Sequence, residues 1–409
     1  MKFRPRTLEK VILKAIKSFP AIVITGPRQS GKTTLFKMLF SKTHNFVSLE
    51  DPDIRIRARE DPRAFFAQYK PPLIIDEVQY VPELLSYIKT KIDQNRKAGQ
   101  WLFTGSQNFV LMNKISQSLS GRIAVLSLLP FSVSERINKG KNTQDILDWV
   151  RKIDIESKSE EKISLSEILL RGFFPEISAR KKVDRKIWFS SYITTYLERD
   201  IRNLLNIGDL NQFERFLISC AVRTAQILNL SEIARDVGIS MPTAKRWLSL
   251  LETAQVVYLL YPYYRNIGKR IIKSPKIYFT DTGLCSYLLG FDDAKVLFKT
   301  PSFSNLFETM IVCDFWKRFL HFGRRPSMYY LRSRDGLEVD LVIELEGKLH
   351  LFEIKSAMTI TPKHAISLKK TSSTLNAKIE TLAIISCSED NFVVKEKIKN
   401  YSWKNILVY

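Results

Sequence analysis

Short apolar runs separated by helical patterns fill the first third of the chain. Ala21–Ile24, Leu73–Ile75 and Trp101–Phe103 are apolar at every position rather than at every second one. A strand reads this way when both of its faces are covered, which is the rule in parallel sheets. The helical periodicity between these runs predicts an α/β arrangement over residues 1–136, a mostly parallel sheet with helices on its faces. A turn at Leu119–Arg122 leads to one more strand over Ile123–Leu126.

Further along, the pattern changes. Residues 138–162 are polar and charged with few apolar anchors, the composition of an exposed connector. Residues 165–225 read as helical, with a break at Arg171-Gly172-Phe173-Phe174-Pro175. Leu230–Ser240 and Met241–Leu251 predict a helix-turn-helix: Ser231 suits an N-cap, Gly238 the left-handed turn, Ser240 a second cap and Pro242 the first turn. Strand-like runs at Val256–Leu260 and Ile277–Phe279 follow, so this region resembles a winged helix. Near the end, Glu338–Ile343 alternates, Glu346-Gly347-Lys348 forms a tight turn, and Leu349–Lys355 returns as a second strand.

Composition narrows the class. With 409 residues, 45% hydrophobic and 26% charged, the chain has material for two or three soluble domains. It contains no apolar run of membrane-spanning length, and its first ten residues lack the apolar core of a secretory leader. Cys220, Cys285, Cys313 and Cys387 are scattered without metal-ligand spacing, which argues against disulfides and zinc and for a reducing, cytoplasmic setting. Charge is the more pointed signal. Sixty-four Lys and Arg against 42 Asp and Glu leave +22, the electrostatic footprint expected of a protein that meets nucleic acid.

The strand ends carry the chemistry. After Ala21–Thr25 comes Gly26-Pro27-Arg28-Gln29-Ser30-Gly31-Lys32-Thr33-Thr34, a Walker A loop opening a helix. Its glycines let several backbone N–H groups converge on one anion, and the helix adds the positive end of its dipole. Lys32 is expected to reach the β- and γ-phosphates of ATP, and Thr33 to place a hydroxyl on Mg²⁺. The run Leu73–Ile75 ends in Asp76-Glu77, where Asp76 would hold Mg²⁺ through water and Glu77 would orient the attacking water. The third strand, Gln100–Thr104, ends at Gly105-Ser106-Gln107, and Ser106 suits contact with the γ-phosphate better than Thr104 does. Arg122 is a candidate arginine finger, donated to a neighbouring subunit and so requiring a homo-oligomer.

Two other clusters invite chemistry. Lys245 and Arg246 head the second helix of the helix-turn-helix. Arg265, Lys269, Arg270, Lys273 and Lys276 crowd the segment beyond it, so this face could grip the phosphates of double-stranded DNA. In the last hundred residues, Asp340 and Glu353-x-Lys355 stand on neighbouring strands, and Glu308 lies on a helix. Together they could gather Mg²⁺ for attack on a phosphodiester.

The motifs GPRQSGKTT (26–34), LIIDEVQ (73–79), LFTGSQ (102–107), SGRIAVLSLLPFS (120–132), FTDTGLCSYLLG (279–290), GLEVDLVI (336–343) and FEIKSA (352–357) span nearly the whole chain. In this order they resemble the prokaryotic AAA-type ATPases of the AAA+ superfamily whose ATPase module precedes a DUF4143 domain. That resemblance implies ATP binding and hydrolysis carried by Lys32, Thr33, Asp76 and Glu77. It also implies a C-terminal restriction-endonuclease-like fold with Glu308, Asp340, Glu353 and Lys355 at its acidic and E-x-K places. The expected organisation is a P-loop ATPase domain over 1–136, a charged connector and helical region over 137–210, a winged helix-turn-helix over 211–290, and a nuclease-like domain over 291–409. The leading functional expectation is a DNA-associated ATPase motor or switch. The alternatives are an ATP-gated, Mg²⁺-dependent nuclease and a signalling ATPase with a protein partner.

Overall fold

A computed structural model describes residues 3–105, 109–156, 159, 161–197, 210–264, 274–333, 336–375 and 377–408. The chain divides into two compact units. One comprises Met1–Phe131 with Thr253–Gln255 and Leu320–Arg324; the other comprises Ser132–Glu252, Val256–Phe319 and Arg325–Tyr409.

The first unit is built on a five-stranded sheet of β1 (Ala21–Thr25), β2 (Asn45–Ser48), β3 (Leu73–Asp76), β4 (Trp101–Thr104) and β5 (Ile123–Ser127). Their order is β2-β3-β4-β1-β5, and every pairing is parallel. The continuous apolar runs are explained by two cores, one on each face. Ala21, Val23, Leu73, Ile75, Trp101 and Phe103 join Leu84, Leu85, Ile88 and Ile92 on one side. Ile22, Ile24, Ile74 and Leu102 join Leu35, Phe36 and Phe40 of the helix Lys32–Phe40 on the other. Each such large side chain contributes about 1.5–3 kcal/mol by leaving water. The strand order places β4 between β1 and β3, so the end of β4 lies between the Walker A loop and Asp76. That is where an open parallel sheet puts its ligands.

In the second unit, the helices Leu230–Val237 and Met241–Thr253 meet at Gly238, whose φ of 75° is left-handed. Trp247 of the second helix packs edge-on against Phe213 and Phe216. Asn229, rather than Ser231, caps the first helix, its side chain accepting from the Glu232 N–H. Ser240 caps the second as expected, accepting from the Thr243 N–H. Beside them, β6 (Gln226–Ile227), β7 (Val257–Leu260) and β8 (Lys276–Phe279) form a small antiparallel sheet in the order β6-β8-β7.

A six-stranded sheet completes this unit. It contains β9 (Met328–Arg332), β10 (Glu338–Leu345), β11 (Lys348–Lys355), β12 (Ile379–Ser386), β13 (Phe392–Lys395) and β14 (Ile398–Ser402). The order is β13-β14-β12-β11-β10-β9. The predicted hairpin is β10–β11, antiparallel and turned through Glu346 and Gly347, both at positive φ. The 138–162 stretch differs from its polar reading. It holds the helix Ile146–Lys152, whose Ile146 and Trp149 are buried, with Trp149 edge-on to Phe315. Two well-placed apolar side chains anchor a segment that composition alone makes look solvated.

Candidate functional site

The Walker A loop leaves β1 at Gly26, where φ is 149°. A Cβ built there would stand 2.2 Å from the Leu128 carbonyl oxygen, so the loop passes a neighbouring backbone too closely for any side chain. Gly31 caps the helix Lys32–Phe40 with a φ of 93°. The Lys32 ammonium is buried and donates to the carbonyls of Gly26 (3.1 Å) and Pro27 (2.9 Å), folding the lysine back over the loop. The Ser30 hydroxyl is buried inside the loop and, among the described residues, has no hydrogen-bond partner. An orphaned hydroxyl, a closely passing glycine and a buried lysine at a helix N-terminus together fit a nucleotide phosphate. Arg28 is half-buried on the loop; Gln29 and Thr34 are exposed at its margins.

Opposite the loop, Asp76 gathers three hydroxyls. Thr33 donates to one carboxylate oxygen at 2.6 Å, and Ser48 to the other at 3.3 Å. Thr104 donates through a short hydrogen bond, and its oxygen also accepts the Glu77 N–H at 3.2 Å. Thr33 and Asp76 therefore present a hydroxyl and a carboxylate side by side, the hard oxygen donors that suit Mg²⁺. Glu77 follows with left-handed backbone, φ 54° and ψ 48°, and the Gln79 side chain donates to its carboxylate. Ser106 lies outside the described residues. The strand-end hydroxyl that the structure does bring to Asp76 belongs to Thr104, which ranked behind Ser106 in the sequence.

Arg6 was missed by the sequence reading. Its guanidinium donates to the carbonyls of Ser30 (2.8 Å) and Leu129 (2.6 Å) and lies over the Phe131 ring, bracing the Walker A loop from behind. No motif marks it; an arginine near the start of a basic chain carries no local signal. Arg122 stands at the start of β5, where its carbonyl accepts from the Ala21 N–H at the start of β1. It is thus at the end of the sheet opposite its own Walker A loop. There it forms a two-pronged pair with Asp93 at 2.6 and 3.1 Å. The hydrogen bond from Arg122 lowers the Asp93 pKa, and the same bond raises that of Arg122.

In the second unit, Lys245 and Arg246 are exposed on the second helix of the helix-turn-helix pair. Arg265, Lys269, Arg270 and Lys273 lie outside the described residues. Lys276 does not belong with them as a phosphate-gripping residue. It is 3% exposed, and its ammonium lies 2.6 Å from Glu338, 3.1 Å from Glu308 and 3.6 Å from Asp340. Tyr278 donates to the same Glu308 oxygen at 2.7 Å. Burial opposes the Lys276 charge, yet Glu308, Asp340 and Glu338 hold its pKa above the ordinary lysine value.

The four residues of the C-terminal expectation do come together. Asp340 accepts the Ile354 N–H at 2.8 Å, and Lys355 pairs with Glu353 at 2.6 Å. Burial first, and then the Asp340 charge, raise the pKa of both Glu308 and Glu353. They do not form a metal shell, however. Among the described residues, no group of three or more His, Cys, Asp or Glu side chains is arranged to hold a metal ion. The contribution of Lys276, Tyr278 and Glu338 was not legible, because only folding brings 276, 308 and 338 together.

Comparison with known proteins matches three stretches of the chain. An AAA domain family matches residues 18–137, a domain of unknown function (DUF8612) matches 162–295, and a second (DUF4143) matches 303–406. The uncharacterized protein Rv2008c of Mycobacterium tuberculosis is 30% identical over 385 residues, covering 94% of this chain and 80% of that protein. The uncharacterized protein Mb2031c of Mycobacterium bovis gives the same figures. Among solved structures, the Walker-type ATPase PABY2304 of Pyrococcus abyssi overlaps 70% of this chain and 99% of that one, at 13% identity and a TM-score of 0.44. The RuvB Holliday junction branch migration motor of Thermotoga maritima overlaps 61% and 88%, at 16% identity and a TM-score of 0.30. No helix among the described residues is long and apolar enough to cross a membrane.

Proposed function

The chain belongs to the family of AAA-type P-loop ATPases that end in a DUF4143 domain, and we propose that it hydrolyses Mg-ATP as a switch or motor on double-stranded DNA. The observation that carries the ATPase part is the meeting of Thr33, Thr104 and Asp76 at the strand ends beside the Walker A loop. Lys32 exchanges its two carbonyl partners for phosphate oxygens, and the Ser30 hydroxyl and loop N–H groups complete the cradle. Thr33 and Asp76 would hold Mg²⁺, which would supply charge neutralisation at the phosphates. Glu77 orients the attacking water and accepts its proton. Thr104 fixes both acidic residues, one by donating to the carboxylate of Asp76 and the other by accepting the N–H of Glu77. Arg122, turned away from its own loop, serves a neighbouring copy.

The DNA part rests on the net charge of +22 and on Lys245 and Arg246, exposed together on the second helix of the helix-turn-helix. Fluorescence anisotropy of labelled duplex against Lys245→Glu/Arg246→Glu tests it. Binding should weaken at every salt concentration, and the slope of log affinity against log salt should fall by roughly two, one for each lost phosphate contact. Equal affinity and slope in variant and wild type would remove this face from the DNA interface.

A further inference from the structure

The buried acidic cluster of the second unit gathers Glu308, Glu338 and Asp340 around a cation that is already inside it. We propose that the Lys276 ammonium is the resident cation of this cluster. It stands where a divalent metal would bind, so that the native chain takes no metal there and a neutral residue at 276 opens a metal site. This goes beyond the ATPase reading and does not depend on it.

Three observations support the proposal. First, Lys276 touches carboxylates from separate elements: Glu338 and Asp340 on β10, and Glu308 on the helix Ser302–His321. An ammonium surrounded by oxygens at 2.6–3.6 Å fills the position where a hard cation would take the same oxygens. Second, Glu353 is only 6% exposed, and its Oε2 has no hydrogen-bond partner among the described residues. The other oxygen is held by Lys355. The register that sets Leu341 opposite Phe352 brings Asp340 beside Glu353, whose carboxyl also feels the charges of Asp340 and Glu308. A buried carboxylate oxygen left unpaired is costly, and a metal would satisfy it. Third, the ladder between β9 and β10 shifts register between Val339 and Val342, at the position of Asp340. Such irregularities re-aim side chains at sites.

The charges set the direction. Glu308, Glu338, Asp340 and Glu353 face the two ammonium groups of Lys276 and Lys355. Adding a divalent ion beside a buried lysine would place like charges within a few ångströms, away from water that could screen them. Removing the Lys276 ammonium leaves Glu308, Glu338 and Asp340 without the cation they share, while Lys355 stays on Glu353.

Manganese binding, read by the loss of the free-ion EPR signal in full-length protein without nucleotide, tests this. Asp76→Asn is included so that metal at the Walker A site is identified separately. Wild type and Asp340→Asn should bind manganese identically. Lys276→Met should gain a single additional manganese, at least about tenfold tighter than any wild-type binding outside the Walker A site, and lose it again in Lys276→Met/Asp340→Asn. Lys276→Gln, which keeps an N–H donor towards Glu338, carries the same test if the methionine variant does not fold. Asp340-dependent manganese binding by the wild type overturns the proposal. So does a folded Lys276 variant that gains none. Because nucleotide is absent throughout, failure here leaves the ATPase reading standing, and loss of ATP hydrolysis would leave this result unchanged.

Discussion

The Thr33 hydroxyl and the Asp76 carboxylate lie 2.6 Å apart, although forty-three positions separate them in the chain. One opens the helix after β1 and the other closes β3, and the strand order brings the two ends to one side of the sheet. Substituting either should uncouple nucleotide binding from turnover. Thr33→Val and Asp76→Asn are expected to lower Mg²⁺-dependent ATP hydrolysis by about a hundredfold or more while retaining nucleotide. Lys32→Ala should lose nucleotide affinity itself. Isothermal titration with ATP beside a phosphate-release assay distinguishes these outcomes.

Glu77 and Thr104 should separate chemistry from positioning. Glu77→Gln keeps shape but cannot take a proton, so it should bind ATP normally and hydrolyse it about 10²–10⁴-fold more slowly. Thr104→Val removes the hydroxyl that serves both Asp76 and the Glu77 N–H. It should lower kcat with little change in ATP affinity, and restoring the hydroxyl with Thr104→Ser should recover much of the rate. Wild-type turnover by Glu77→Gln would show that another group orients the water.

Arg122 offers a test of assembly. Its place at the far end of the sheet from its own Walker A loop means that Arg122→Ala should leave ATP affinity intact. Mixing Arg122→Ala with Lys32→Ala should then restore part of the hydrolysis that each variant lacks alone. An intact arginine meets an intact loop only between copies. Unchanged hydrolysis by Arg122→Ala would leave the residue as a surface partner of Asp93, a role worth little to stability.

A titration probes the six-stranded sheet. His350 on β11 shares a hydrogen bond with Thr381, and burial lowers its pKa from 6.5 to about 4. The unfolded chain therefore binds a proton that the folded chain refuses between those values, and stability falls as pH drops from 6.5 towards 4. Thermal unfolding across that window should show a steeper decline in wild type than in His350→Gln. Parallel curves would mean that His350 does not set the slope.

What the sequence discloses here follows from locality. The strands β1, β3 and β4 were legible because burial on two faces makes each run apolar throughout, and the Walker A loop because its glycines and lysine must be contiguous. The β10–β11 hairpin was legible for the same reason, its turn residues lying between two strands. Contacts that depend on packing were hidden. Lys276 reads as one more base in a basic segment until β8 carries it beside Glu308, Glu338 and Asp340. Asn229 displaced Ser231 as a cap because its side chain, one residue before the helix, already meets the Glu232 N–H. Trp149 could pass for part of a solvated connector, since a lone aromatic gives no periodicity.

Steady-state ATP hydrolysis with and without duplex DNA, at low and high salt and with Lys32→Ala as the blank, decides whether this ATPase works on DNA. Mg²⁺-dependent hydrolysis is expected, stimulated by duplex DNA and returned by salt to its basal rate as screening weakens the phosphate contacts. Hydrolysis indifferent to DNA at every salt concentration would contradict it.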